Sequence, residues 1–581
     1  MLIGLVILLF QSCEEYFEQE PVSLFTRDNI FTNVEYAEQA LLGVYQLMTN
    51  DEGYSKRVSM YYGVDTDIAM CSGSIDNGRR GIARYAANSG NDEIRKPWVN
   101  FYKGIERANV CINGITESEV YNNGTEEQQE KMRKLHGEAL TLRALFYYEL
   151  IRNWGDVPFK TESSKTGDDF NYPKTNRDTI YRHIIDDLYQ AEKLVPWRSG
   201  VENTAEKFER VTKGAVKGLM ARIALARGGF SLRKGREMRR GPNHLKYYEI
   251  ARDQCKDIME SGEHGLNPSF EEVFKKMCRY EYDTEYGEVM WEVGFGKYDS
   301  GEVGYYIGNP SANESTYGRA TGGMLAIPTF WLSFDTLDTR RDITISLYEI
   351  DDEDRKQLLD FADIRIAKWR RMWLEPLMPG TDKYTGVNWP LLRYADVLLM
   401  FAEAENELNQ GPTQEAKDAL RQVRERAFAG NEDQIGTLPN DYQGFFDAIV
   451  QERAWELAGE CLRKHDLIRW NLLDDKLKEM KQELESVFNQ EGTYTNIAPQ
   501  LIWRNDGTEM EIMNWNQPMD SAAVANRDSL SWPFVAEWGN SLNEDYRTLI
   551  AQFFEPNRKE LLPIHISIVE ENKNLENDYG Y

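Results

Sequence analysis

Apolar positions recur at helical spacing through two long blocks of the chain. In HGEALTLRALFYYELIRNWG, Ala139, Leu142, Phe146 and Leu150 step by three and four, the period of a single helix face. VEYAEQALLGVYQLM and WVNFYKGIERANVCINGI before it read as helices, as do DTIYRHIIDDLYQAEKLV, VTKGAVKGLMARIALARGG and LKYYEIARDQCKDIMES after it. Gly214, Ala215, Gly218, Ala221 and Ala224 leave one side of a helix small enough for another helix to approach. The second block, YADVLLMFAEAENELNQGPTQEAKDALRQVRERAFAG, forms two amphipathic helices broken at Gly411–Pro412. Helix pairs at intervals of roughly 34 to 45 residues predict a tetratricopeptide-like solenoid.

Between the blocks the pattern changes. EVMWEVGF alternates Val289, Trp291, Val293 and Phe295, which predicts a strand. It leads into GKYDSGEVGYYIGNPSANESTYGRATGG, a long Gly-, Asn-, Ser- and Tyr-rich segment of the kind that carries function when it sits inside a compact protein. A second such stretch, from about Asn496 to Asn543, holds Trp503, Trp515, Trp532 and Trp538. The expected fold class is mainly α: helix pairs as a scaffold, packed against an irregular loop-rich half with a few short strands. One domain is expected over 34–581, with scaffold mainly at 34–275 and 388–485. The loop-rich parts fall mainly at 60–96, 276–387 and 486–560.

The first residues, MLIGLVILLFQSC, form a separate unit. Ten apolar residues as a helix rise about 15 Å, half of a bilayer core, so this is a secretory segment rather than a span. Ser12–Cys13 resembles a lipobox, with residues 1–12 as signal peptide, Cys13 as the lipidation site and 13–33 as an acidic tether. Phe10 stands where a lipobox usually has Leu, and no Lys or Arg precedes the run, which points to a true start a few residues upstream.

Charge narrows the function. Lys plus Arg number 68 against 96 Asp plus Glu, a net charge of −28 that repels nucleic acid and disfavours a basic membrane-surface helix. Cysteines at 13, 71, 111, 255, 278 and 461 make no CxxC pair and no zinc spacing, so no metal is expected. There is no HExxH, P-loop, GxSxG or EF-hand pattern. The densest charge lies in ERAWELAGECLRKHDLIRW, residues 452–470, read as one helix with Trp455, Ala458 and Leu462 as its apolar stripe. Glu452, Glu456 and Glu460 recur at spacings of four, where like charges could raise one pKa and supply a catalytic acid. Arg453 lies three from Glu456, Arg463 three from Glu460, and Arg469 three from Asp466. Acids so matched with guanidinium forks are held ionised, so the stretch is expected to be a structural brace with no catalytic residue.

Five motifs in order resemble the SusD/RagB family of outer-membrane nutrient-binding lipoproteins. After the lipobox come WVNFYKGIERAN and EALTLRALFYYELIRNWGDVPF, similar to the family segment ending in Gly-Asp-x-Pro. LLRYADVLLMFAEAENELN looks like its Arg-Tyr-Ala-Glu helix, with Asp396 for Glu, and 452–470 looks like its Glu-Arg…Asp-Leu-x-Arg-Trp signature, with Cys461 for a glycine. LLPIHISIVEENKNLENDYGY resembles its C-terminal ending, from which His565 and Glu576 depart. The resemblance implies acylation of Cys13 and display on the outer membrane of a Gram-negative bacterium. It implies a lid on a SusC-like TonB-dependent transporter that captures oligosaccharides, with neither cofactor nor catalysis.

Sugar rings pack their C–H faces on aromatic rings, while their hydroxyls need planar polar partners. Two loop regions offer both. VDTDIAMCSGSIDNGRRGIARYAANSGND carries Asp67, Asn77, Arg80 and Tyr85. The other carries Tyr298, Tyr305, Tyr306, Asn309, Tyr317 and Arg319. Trp98 and Trp291 sit in scaffold contexts and are expected to be structural, while the late tryptophans are candidates for the ligand face or the transporter interface. A peptide-binding member of the same family, a surface glycoside hydrolase and a pure helical scaffold are the alternatives.

Overall fold

The computed structural model describes residues 27–297, 299–505, 509–512, 525–526 and 534–581. Each helix predicted in the two helical blocks is present. α1 (Val34–Thr49) starts where the Asn33 side chain accepts a bond from Tyr36 N, and α3 (Glu126–Trp154) where Thr125 and Gln128 form a capping box. With α2 (Asp92–Glu117), α4 (Arg177–Leu194), α5 (Lys213–Gly228), α6 (His244–Ser261), α7 (Tyr394–Asn409), α8 (Gln414–Ala427) and α9 (Tyr442–Leu457), they stack in chain order, each against the next from α1 to α8, and α9 packs on α7. That is the expected solenoid of helix pairs.

Two packing expectations change. The stripe on α3 widens to nearly every residue from Leu135 to Trp154, because α1, α2, α4 and α5 all pack onto this helix. The small residues of α5 let α4 and α6 approach, as expected, but at two of them the close neighbour is not a helix: Leu392 fills the space over Gly218 and His264 that over Gly214, leaving no room for a Cβ.

The loop-rich half is organised by short strands. β1 (Ala69–Cys71), β3 (Met324–Ala326), β4 (Ile345–Ser346) and β5 (Arg365–Ile366) make an antiparallel sheet in the order β1-β3-β5-β4. β2 (Val289–Val293), the predicted strand, pairs with β6 (Trp389–Arg393) across two register shifts. All five β2 residues are buried, so the alternating pattern marks a strand covered on both faces. Trp98 and Trp291 are buried, as the scaffold reading expects. Of the late tryptophans, Trp503 stacks on Phe534 and Trp538 on Phe361, both buried and so removed from any ligand face; Trp515 and Trp532 lie outside the described residues.

One buried acid on β2 sets a pH dependence. Asn388 Nδ2 bridges Glu292 and Glu209 at 2.9 Å each. Burial pushes the Glu292 carboxyl up to about 8, with the Asn388 bond opposing and the Glu209 charge adding. A carboxyl raised on folding contributes stability below its unfolded pKa, near 4, and loses it as pH rises through 8. Glu292→Gln is therefore expected to gain on wild type between pH 5 and pH 9, by on the order of 3 kcal/mol in urea unfolding. A difference that stays flat with pH would refute the assignment.

The charged residues do form an ion-pair network, but it is differently wired. The 452–470 stretch is two helices, because Gly459 (φ +81°) and Cys461 (φ +54°) turn the chain between α9 and α10 (Arg463–Trp470). Glu456 does not meet Arg453, which shares its helix but turns to Asp396 and Asp466, and Glu460 does not meet Arg463, because the turn carries α10 away. Glu456 is bonded by Arg393 at 2.9 Å, Arg426 at 2.6 Å and Arg340 at 3.2 Å, and Glu460 by Arg393 at 2.7 Å and Lys368 at 2.8 Å. Glu452 pairs with Arg340 and Arg424. Arg453 reaches Asp466 and Asp396, Arg463 reaches Asp67, and Arg469 holds Asp466, as predicted, together with Glu403. Burial would raise the Glu456 carboxyl, but Arg426, Arg393 and Arg340 outweigh it and hold it well below the ordinary range. An acid so held has no proton to give, and Glu452, Glu456 and Glu460 are all buried.

The Gly-Asp-x-Pro segment and the C-terminal motif meet at another joint. Asp156 of the Gly-Asp-x-Pro segment binds Arg177 at 2.8 Å, Arg177 bonds the hydroxyl of Tyr579, and Trp154 Nε1 donates to Pro563 O at 3.1 Å. The C-terminal motif thus clasps the end of α3.

Candidate functional site

The β1–β3 pairing brings the two predicted loop regions edge to edge. Ser72 N continues the ladder to Gly323 O at 2.9 Å, so the 72–80 loop emerges beside 302–323. Beneath them Tyr61 and Tyr306 pack with ring centroids 5.0 Å apart, and Cys71 Sγ lies 3.2 Å from the Tyr306 hydroxyl. Burial pushes the Tyr61 hydroxyl up to about 12 and Tyr306 well above its usual range, so both stay protonated at neutral pH. The Arg79 guanidinium lies 5.3 Å above the Tyr61 ring.

A third segment, 378–386, closes the face. Buried Arg371 ties it down by donating to the carbonyls of Tyr317 (2.8 Å), Met378 (2.7 Å) and Asp382 (2.7 Å). Lys383 Nζ bonds Glu302 at 2.8 Å and lies 4.5 Å over the Tyr384 ring. Burial lowers the Lys383 ammonium, but Glu302 and Tyr384 more than offset it, so the cation is firmly charged. Glu302 also takes Lys56 from below. The 72–80 loop is fixed by Asp76, which accepts from Gly78 N at 2.9 Å and Arg80 Nη1 at 3.0 Å, while Arg80 Nε donates to Ser72 O at 2.8 Å.

The three adjoining segments carry half-buried Tyr305, Tyr317 and Tyr384, the cations Arg79, Arg80 and Lys383, and exposed Asn77 and Arg319. Aromatic rings beside charged hydrogen-bond donors suit a hydroxyl-rich ligand. Among the described residues no group of three His, Cys, Asp or Glu side chains is placed to hold a metal.

Five predicted residues converge here: Asn77, Arg80, Tyr305, Tyr317 and Arg319. Four others do not present themselves to a ligand. Asp67 is engaged by Arg463 at 2.6 Å, on the brace side. Tyr85 is 3% exposed, its hydroxyl on Asp65 O and its ring against Phe554. Tyr306 is the floor rather than the surface, and Asn309 is 3% exposed. Tyr298 lies outside the described residues. Sequence reasoning missed Arg79, Lys383 and Tyr384. Arg79 directly precedes Arg80, and DKYTG carries the same aromatic-plus-cation signature as the two segments chosen.

The chain matches two models of one family: the SusD family over residues 363–581, and a SusD-like model described as starch-binding and associating with the outer membrane over 16–225. It is 25% identical over 531 residues to SusD-like protein P25 of Formosa agariphila, covering 83% of this chain and 91% of that one. Its fold is similar to a SusD homolog from Bacteroides thetaiotaomicron, at TM-score 0.76 and 25% identity, covering 96% and 98% of the two chains. A laminarin-binding SusD-like protein shares the fold at TM-score 0.60 and 20% identity, over 78% of this chain and 94% of the other. With four of the five motifs serving as joints of one helical stack and both halves matched in order, the chain belongs to the SusD/RagB family.

Proposed function

We propose that this protein is a cell-surface glycan-binding lipoprotein. It captures oligosaccharides on the face built by 72–80, 302–323 and 378–386 and delivers them to a SusC-like TonB-dependent transporter. The observation that carries the reading is Tyr305, Tyr317 and Tyr384 held among Arg79, Lys383 and Asn77 at one surface. The laminarin-binding fold neighbour and the outer-membrane description of the N-terminal family model support it. In this reading residues 1–12 are the signal peptide, Cys13 carries the lipid, 13–33 tether the domain to the outer membrane, and the protein performs no catalysis.

Calorimetric titration against oligosaccharides, laminarin fragments among them, and against peptides tests this. One sugar class is expected to bind and to be recovered at its original length. Peptides binding in place of sugars, or shortened products, would overturn it.

A further inference from the structure

Among the described residues Phe170 is the most exposed large apolar side chain, at 61%. It is not loosely placed. Lys160 Nζ lies 5.8 Å over its ring and 5.6 Å over that of Tyr172, while bonding Asp168 and Ser164 Oγ at 3.1 Å each. The same loop is anchored where Ser164 meets Glu106 of α2 and where Asn572 Nδ2 donates to Tyr172 O at 2.9 Å. An apolar ring pinned upright in water loses hydrophobic stabilisation unless something covers it.

Phe170 stands on the lip of a groove of about 710 Å³, within the roughly 300–1,000 Å³ typical of small-ligand sites. Its floor is α2 from Trp98 to Asn109, a run of about 16 Å at helical rise. Half-buried Tyr102 and Phe159 add ring faces, and Asp169, Asn171 and Glu571 stand at the rim. Acids outnumber the lysines around it, which disfavours an anionic ligand, and the polar rim disfavours an acyl chain. Rings on the floor with hydrogen-bonding groups at the edge match a sugar.

The groove connects to the face already described. Asn91, which caps α2, also donates to Gly78 O at 3.0 Å, so the 72–80 loop sits on the helix end from which the groove runs. From Asn91 to Trp98 is about 10 Å along the axis.

We infer that this groove is a second carbohydrate subsite, taking a separate stretch of the same neutral glycan that the loop face captures. This rests on the glycan-binding reading. Two linked subsites convert the second binding event into an intramolecular one, which raises affinity for long chains above that for short ones.

The test titrates the full chain with a short oligosaccharide from the panel and with its parent polysaccharide, in wild type, Phe170→Ala and Tyr172→Ala. Wild type is expected to take two short oligosaccharides per chain. Each variant is expected to take one, with loop-face affinity unchanged and polysaccharide affinity reduced about tenfold or more. Phe170 is exposed, so its removal leaves the melting temperature in place. One oligosaccharide per wild-type chain, with variants indistinguishable from it, overturns the groove and leaves the loop-face reading standing. No sugar bound by wild type overturns both.

Discussion

Arg393→Met is expected to lose about 3–5 kcal/mol of unfolding free energy in urea titration, the scale for removing one partner from a buried ion network. Arg393 is fully buried at the start of α7 and bonds Glu288, Glu456 and Glu460 from a single guanidinium. Around it Arg340, Lys368, Arg424 and Arg426 face Asp338, Glu288, Glu452, Glu456 and Glu460, so with Arg393 the cluster balances. Methionine fills much of the volume but leaves one carboxylate charge uncompensated, away from water. Arg393→Lys restores the charge without the fork and is expected to fall between. Arg421→Met, on the exposed face of α8, is the control and should lie within about 0.5 kcal/mol of wild type. A loss at Arg393 no larger than the control's would mean that the network does not brace the fold.

The second large effect lies at the loop face. Tyr305→Ala combined with Tyr384→Ala is expected to weaken the best oligosaccharide by about 2 kcal/mol or more, roughly 30-fold, the scale of an anchor residue. Both rings are half-buried, and the hydrogen bonds that hold residue 305 in place run through its backbone carbonyl to Thr321, so truncation leaves the loop tied. Unchanged affinity in calorimetry, with the melting temperature retained, would move the site elsewhere.

The scaffold was readable because helix pairs repeat a period, and each predicted helix formed within a few residues of its stripe. What spacing could not supply was partner identity across the fold. The sequence shows Glu456 beside Arg453, yet its cations come from Arg340, Arg393 and Arg426, dozens of residues away. Arg453 on the same helix is taken by Asp396 and Asp466, and the turn at Gly459 and Cys461, where this chain has Cys for the family glycine, carries Arg463 away from Glu460. At the proposed site, composition pointed to loops that the fold brings side by side but not to which rings face outward. Tyr305 and Tyr306 are adjacent, and one is surface while the other is floor. Lys383 and Tyr384 join the face because Arg371 ties three carbonyls together and Glu302 takes Lys383, contacts no local pattern encodes.

The most direct measurement is a crystal structure of the protein with its tightest-binding oligosaccharide. The sugar rings are expected against Tyr305 and Tyr384, with hydroxyls toward Arg79, Asn77 and Lys383. An oligosaccharide ordered only elsewhere, with Tyr305 and Tyr384 bare, would contradict the account.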